Sequence, residues 1–285
     1  MPGTSTADQE AIERIVSRIR EIAVLPHVVF RIIESTGSDQ VSAATIEKII
    51  LVDPGFCAKI LTSVNSAQYA LPKKIASIRE AIMFLGVKQV RAMAMTVGVF
   101  DLFVGKNDKE SLRRRDWWRH SLDTAVCARW LASHAKSDPD EGYVAGLLHY
   151  IGKTVLDRSD PATYEKVMVL AEKGVSDLQA EQHLFGAHHV AVGMAIARKW
   201  GFPEHLVYSL DYVSEGTEDS SINRVRATVA LAHSLARLAV NGVTDLDARM
   251  KSLPEWACEL TDTQENQISG LVDGSVSAIA AARAA

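Results

Sequence analysis

Cysteine is scarce: Cys57, Cys127 and Cys258 are the only three in 285 residues. So small and widely spaced an odd set suits neither a disulfide framework nor a thiolate zinc knuckle, and a reducing compartment is the expected setting. A charge excess of one sign is also lacking. Lys and Arg number 31 against 35 Asp and Glu, a formal net charge of −4, so no global basic field steers the chain to nucleic acid or to an anionic membrane. Long hydrophobic runs are missing too. The most apolar stretch, 92–104, is too short to span a bilayer and carries Asp101. The first ten residues are polar and acidic rather than basic and then apolar, which is not a secretory leader pattern. The expectation is a cytoplasmic protein with neither membrane nor nucleic-acid partners. What the chain does have is 47% hydrophobic residues with 23% charged, enough to bury one large core or two ordinary ones.

Strand-like alternation is absent as well. Apolar residues recur at spacings of three and four between eight prolines and seventeen glycines that act as punctuation, so the fold class is all-α. Ile12, Ile15, Val16, Ile19, Ile22 and Ala23 mark a first amphipathic helix, and Leu25-Pro26 resets the chain before Val28, Val29 and Ile32. Ser42 and Asp53-Pro54 are N-cap signals, and Ser77 with Glu80 has the capping-box form closed by Gly86. Gly105-Lys106-Asn107-Asp108 is the clearest linker. This predicts an N-terminal helical bundle over 10–105, a second helical domain over 110–241 and a C-terminal helical tail over 242–285 that docks weakly or frays.

The chemistry-bearing residues fall in three segments. Asp53 to Ala67 followed by Ile75 to Gly86 reads as a capped helix pair with an Asn65-Ser66 corner, and capping alone accounts for it. A second segment holds His120 and then Gly146-Leu147-Leu148-His149-Tyr150-Ile151-Gly152-Lys153. The third runs from Glu181 through His188-His189 to Trp200-Gly201-Phe202-Pro203. Between the first two, Lys109, Arg113, Arg114, Arg115 and Arg119 interleave with Trp117 and Trp118. That pattern can stack on nucleic acid, but beside Asp108, Glu110 and Asp116 it reads as a helix start with tryptophans in the core and arginines extending past them.

Taken together, these segments resemble the HDOD family, the HD-related output domain of bacterial signalling proteins, over roughly residues 20–240. The resemblance implies a second half related to HD phosphohydrolases, whose His…His-Asp…Asp set holds one or two divalent metals. His120 and His149 match the two histidines. Tyr150 stands at the aspartate of the doublet, and a phenol of reference pKa about 10 is a poor anionic ligand for Mg²⁺ or Mn²⁺. In Leu231-Ala232-His233-Ser234, His233 stands at the last aspartate. The His-His pair of the HD-GYP phosphodiesterases would fall near Val213-Ser214, and no Gly-Tyr-Pro occurs.

The reading is therefore a degenerate HD-like domain that acts as a noncatalytic signalling module, with no cofactor or metal, and with a remnant pocket of His120, His149, Tyr150, Lys153, His189 and His233. The resemblance implies response regulators, diguanylate cyclases or kinases as partners. Alternatives remain: a residual metal-dependent phosphohydrolase, a nucleotide sensor in which His120, Lys153 and His189 contact phosphate, or a zinc or nickel site made by His120, His149, His189 and His233. His120 and His149 also read as buried histidines bonded to each other, to Tyr150 or to carbonyls, and Lys153 as a partner of a nearby acid.

Overall fold

Side-chain caps fix where the chain turns helical. Ser42 accepts from the Thr45 amide, Asp53 Oδ1 from that of Phe56 at 3.0 Å and Ser77 Oγ from that of Glu80 at 3.1 Å, while Glu80 Oε2 reaches back to the Ala76 amide at 2.9 Å. Each satisfies an amide that a helix start otherwise leaves unpaired. In the computed structural model, residues 6–18, 27–34, 42–66, 74–103, 108–214, 220–241 and 253–284 are described. They form sixteen helices and no strand, an all-α fold.

The first six are α1 (Thr6–Arg18), α2 (His27–Glu34), α3 (Ala43–Leu51), α4 (Pro54–Val64), α5 (Ile78–Leu85) and α6 (Val87–Phe103). Helices α2 to α6 pack on one another around Val29, Ile32, Ile46, Ile50, Ile60 and Val90, whereas α1 packs on helices of the second half. Of the first predicted helix, Ile19, Ile22 and Ala23 lie outside the described residues, as do Leu25-Pro26 and the linker residues 105–107. Gly86 sits at φ 82°, ψ 159° between α5 and α6, a positive φ open to glycine but outside the left-handed helical region. Asn65 works as a staple: its amide nitrogen donates to the carbonyls of Leu61 and Ile75, and its Oδ1 accepts from the Ile75 amide at 2.7 Å.

The second half comprises α7 (Asp108–Ala135), α8 (Pro139–Leu148), α9 (Ile151–Ser159), α10 (Pro161–Glu172), α11 (Asp177–Phe185), α12 (His189–Lys199), α13 (Glu204–Ser209) and α14 (Ser220–Asn241). Its long helices α7 and α14 pack along each other and against α8. The basic run in α7 is divided: Arg115 and Arg119 are exposed, whereas its other two arginines turn inward. Arg113 and Arg114 both bind the fully buried carboxylate of Asp157 on α9, and Trp117 is buried edge-on to Tyr164. A second carboxylate, Asp140 on α8, takes Arg91 of α6 and Arg129 of α7, and so ties the two halves together.

The tail departs from expectation. It contains α15 (Glu255–Leu260) and α16 (Glu265–Ala284), and α16 is a twenty-residue helix packed on α7 and α14 rather than a short, weakly held pattern. Arg283 pairs with the buried Asp123, Cys127 Sγ lies 3.2 Å from Ser275 Oγ, and Gly274 leaves room for the Trp130 ring. Those polar anchors, invisible to an apolar-periodicity count, hold an alanine-rich helix in place.

Candidate functional site

Four elements converge behind the face of α14. His120 comes from the middle of α7. His149 closes α8, Tyr150 begins α9 with backbone φ −97°, ψ 8°, and Lys153 follows one turn later. His233 projects from α14, and His189 opens α12. Close approach of α9 and α12 depends on Gly152: a Cβ there would lie 1.8 Å from the His189 carbonyl oxygen.

His120, His149 and His233 form a cluster. Nε2 of His120 lies 2.9 Å from Nδ1 of His233, which in turn lies 3.3 Å from Nε2 of His149. Nδ1 of His149 donates to the Gly146 carbonyl at 2.5 Å. Burial, then the charges of Lys153 and Arg237, lower the pKa of His120 to about 3. Burial and the neighbouring imidazoles hold His149 and His233 well below the ordinary value. All three rings are therefore neutral at pH 7.

The other two cationic candidates are engaged elsewhere. His189 stands outside the cluster. Its amide and Nδ1 meet Glu181 Oε2 at 2.8 and 2.6 Å, and its Nε2 accepts from the Tyr212 hydroxyl at 2.7 Å, while Tyr164 donates to Glu181 Oε1 at 2.8 Å. Burial lowers the His189 pKa although Glu181 opposes it, and burial raises that of Tyr212 well above the phenol range. Lys153 is buried, its Nζ in an ion pair with Asp177 and 4.2 Å over the Tyr150 ring. Burial works against that ammonium, yet Tyr150, Asp177 and Glu181 raise its pKa above the ordinary value. His188 is a cap: its Nδ1 accepts from the Ala191 amide at 3.3 Å. Sequence reasoning gave no role to Glu181, Asp177, Tyr212 or Arg237. Only an acid at helical spacing upstream of His188-His189 hinted at the first.

A cavity of about 590 Å³ meets the cluster at His233 and is lined also by Tyr150, His189, Tyr212, Ser234, Trp256 and the exposed Arg237. The converging donor set lacks the carboxylates of the His…His-Asp…Asp centre that holds Mg²⁺ or Mn²⁺ in HD phosphohydrolases. The ring nitrogens of three histidines converge, and the two nearby acids, Asp177 and Glu181, are turned onto Lys153 and His189. No hydrolytic step through such a centre follows from these residues.

Among solved structures, the chain is similar to an HDOD domain protein of unknown function from Geobacter sulfurreducens, with a TM-score of 0.77 and 26% identity over 96% of both chains. It also shares its fold with a protein from Shewanella amazonensis SB2B provisionally named a phosphohydrolase: TM-score 0.70, 18% identity, 99% of this chain and 100% of that one. An uncharacterized protein of Treponema pallidum (strain Nichols) is 25% identical over 202 residues, 70% of this chain. The match covers only 38% of that relative's length. Among the described residues, no helix is long and apolar enough to cross a membrane. The HDOD domain family matches residues 22–215, more than half of the sequence, and the chain belongs to that family.

Proposed function

We propose that this protein is a noncatalytic regulatory HDOD module of the cytoplasm that passes a signal through protein contacts. The observation that carries the reading is the absence of a carboxylate from the His120, His149 and His233 cluster, with Tyr150 and His233 standing where HD enzymes place aspartates. Without an anionic ligand a hard dication such as Mg²⁺ or Mn²⁺ is poorly held, and no hydroxide carried on such an ion forms near a phosphoester. The groups that would otherwise grip phosphate are engaged internally, Lys153 in an ion pair with Asp177 and His189 in a hydrogen bond to Glu181. A contact role is supported by Leu51, Val52, Met83 and Phe84, apolar side chains 45–74% exposed on α3, its C-cap and the adjoining α5. The partners proposed are signalling proteins such as response regulators, diguanylate cyclases or kinases. The division into 10–105, 110–241 and 242–285 belongs to the same proposal.

The test is hydrolysis of a model phosphodiester and of cyclic dinucleotides with added Mn²⁺ or Zn²⁺. No turnover above the blank is expected, with His149→Ala indistinguishable from the parent. Turnover that disappears in His149→Ala would overturn the reading. A second reading, a nucleotide sensor, draws on the cavity, whose lining includes Arg237 and Trp256. Calorimetry against cyclic dinucleotides separates the two: heat that Arg237→Ala abolishes favours the sensor.

A further inference from the structure

The three-histidine cluster holds fewer protons than its hydrogen bonds need. Nδ1 of His149 faces the Gly146 carbonyl oxygen, which only accepts, so that nitrogen carries the proton and Nε2 presents a lone pair. Nδ1 of His233 lies between that lone pair and Nε2 of His120. If it carries a hydrogen, one hydrogen serves two acceptors. If it does not, His120 donates to it and His149 Nε2 faces a second lone pair. Either way two of the three nitrogens compete.

A cation resolves it, since it accepts all three lone pairs together. Nitrogens bound to a tetrahedral Zn²⁺ at about 2.0–2.1 Å are about 3.4 Å apart. Here two separations are 2.9 and 3.3 Å, and all three ligand atoms lie within 4.8 Å of one another. The bond from His149 Nδ1 to the Gly146 carbonyl is the outer contact that orients metal-binding imidazoles. His233 and Tyr150 line the cavity, so the cluster meets it at His233. The charge of Lys153 opposes a nearby dication but is paired with Asp177.

We infer that Nε2 of His120, Nε2 of His149 and Nδ1 of His233 form a nitrogen-only site for one late transition-metal dication of the Zn²⁺ class, rather than the mixed histidine-aspartate centre of HD enzymes. Such an ion links α7, the α8–α9 turn and α14. This stands apart from the proposed function: a module that works by contacts can hold the ion, and an ion-free one can still work by contacts.

The experiment uses the full chain, stripped with a chelator and titrated with Co²⁺ in buffer without phosphate. One Co²⁺ per chain is expected, with the visible bands of a low-coordinate site that equimolar Zn²⁺ removes and excess Mg²⁺ leaves alone. His149→Ala and His233→Ala should each weaken Co²⁺ binding by about 100-fold or more, while His205→Ala, on the exposed face of α13, should leave it unchanged. X-ray absorption of the Zn²⁺-loaded parent needs no variant to fold and should show three imidazoles. A parent chain that takes up no Co²⁺, bands that survive both alanine variants, or fewer than three imidazoles on Zn²⁺ would overturn the site.

Discussion

Adding one methyl group at Gly152 tests whether the wall of this pocket depends on backbone-to-backbone packing. A Cβ built there meets the carbonyl oxygen of His189 at 1.8 Å, its carbonyl carbon at 2.7 Å and the amide of Gly193 at 2.9 Å. Ordinary C···O contacts are about 3.3 Å or longer, so α12 must retreat from α9 by about 1.5 Å. No flexible side chain can absorb the clash, because every obstructing atom is backbone. His189 moves with its helix, and its contacts of 2.6 Å to Glu181 and 2.7 Å to Tyr212 stretch past the hydrogen-bond limit. Overpacking costs about 1–3 kcal/mol, and loss of a hydrogen bond to a buried carboxylate adds about 1.5–3 kcal/mol. A helical alanine returns about 0.5–1 kcal/mol over glycine. The expected net loss for Gly152→Ala is about 3 kcal/mol. Gly142→Ala adds the same atoms one helix earlier, where the nearest neighbour is the Ala128 carbonyl oxygen at 3.6 Å, an ordinary contact. There the propensity gain stands alone and the variant is more stable by about 0.5–1 kcal/mol. Urea unfolding followed by circular dichroism measures both. With an m-value near the upper end of the usual range, about 3 kcal/mol/M, the midpoints of the two variants should lie about 1 M apart. A Gly152→Ala midpoint matching the parent, or an equal loss in Gly142→Ala, would refute the packing argument.

Three further outcomes follow from buried charge and titration. Asp157→Ala leaves Arg113 and Arg114 facing each other in the interior without their carboxylate and should cost about 3–5 kcal/mol in the same urea assay. Because His120, His149 and His233 have folded-state pKa values below 6.5, the unfolded chain binds protons that the folded chain refuses. Their contribution is intact above pH 6.5 and declines below it by up to about 1.4 kcal/mol per pH unit for each ring. Metal-free protein should therefore lose on the order of 4 kcal/mol between pH 7.5 and 5.5, and a flat profile would contradict the buried, neutral cluster. Burial pushes the Cys127 thiol up to about 12, so a thiol reagent at pH 8 should label Cys57 and Cys258 in native protein and reach Cys127 only after denaturant is added.

Local signals were legible in the sequence and long-range ones were not. Ser42, Asp53 and Ser77 announce helix starts because a cap is a bargain between residues three apart, and all three caps form. The all-α class follows from the same periodicity. The alanine-rich end looked weakly held because its docking rests on pairs far apart in the chain, Cys127 with Ser275 and Asp123 with Arg283. The three basic residues Arg113, Arg114 and Arg115 show why composition misleads. The first two are drawn inside by one carboxylate 43 or 44 residues downstream, and the third stays exposed. At the candidate site the histidines could be named from motif positions, but not sorted. Only the side-chain contacts of the folded chain assign Asp177 to Lys153 and Glu181 to His189.

Set beside the HD pattern, Tyr150 and His233 are better understood as one departure than as two. Tyr150 is not an inert substitute. Its ring lies 4.2 Å from that of His149 and 4.9 Å from that of His120, and it floors the Lys153 ammonium at 4.2 Å. A carboxylate at this position would compete with Asp177 for Lys153 and draw water toward it; the phenol ring instead seals the ammonium against its partner. With Lys153 neutralised there, a second carboxylate at position 233 would sit unpaired among neutral imidazoles, at the large cost of an uncompensated buried charge. An imidazole at 233 removes that cost and closes the cluster through nitrogen. The cluster is thus neutral and nitrogen-lined, and whatever it binds must satisfy lone pairs rather than balance negative charge.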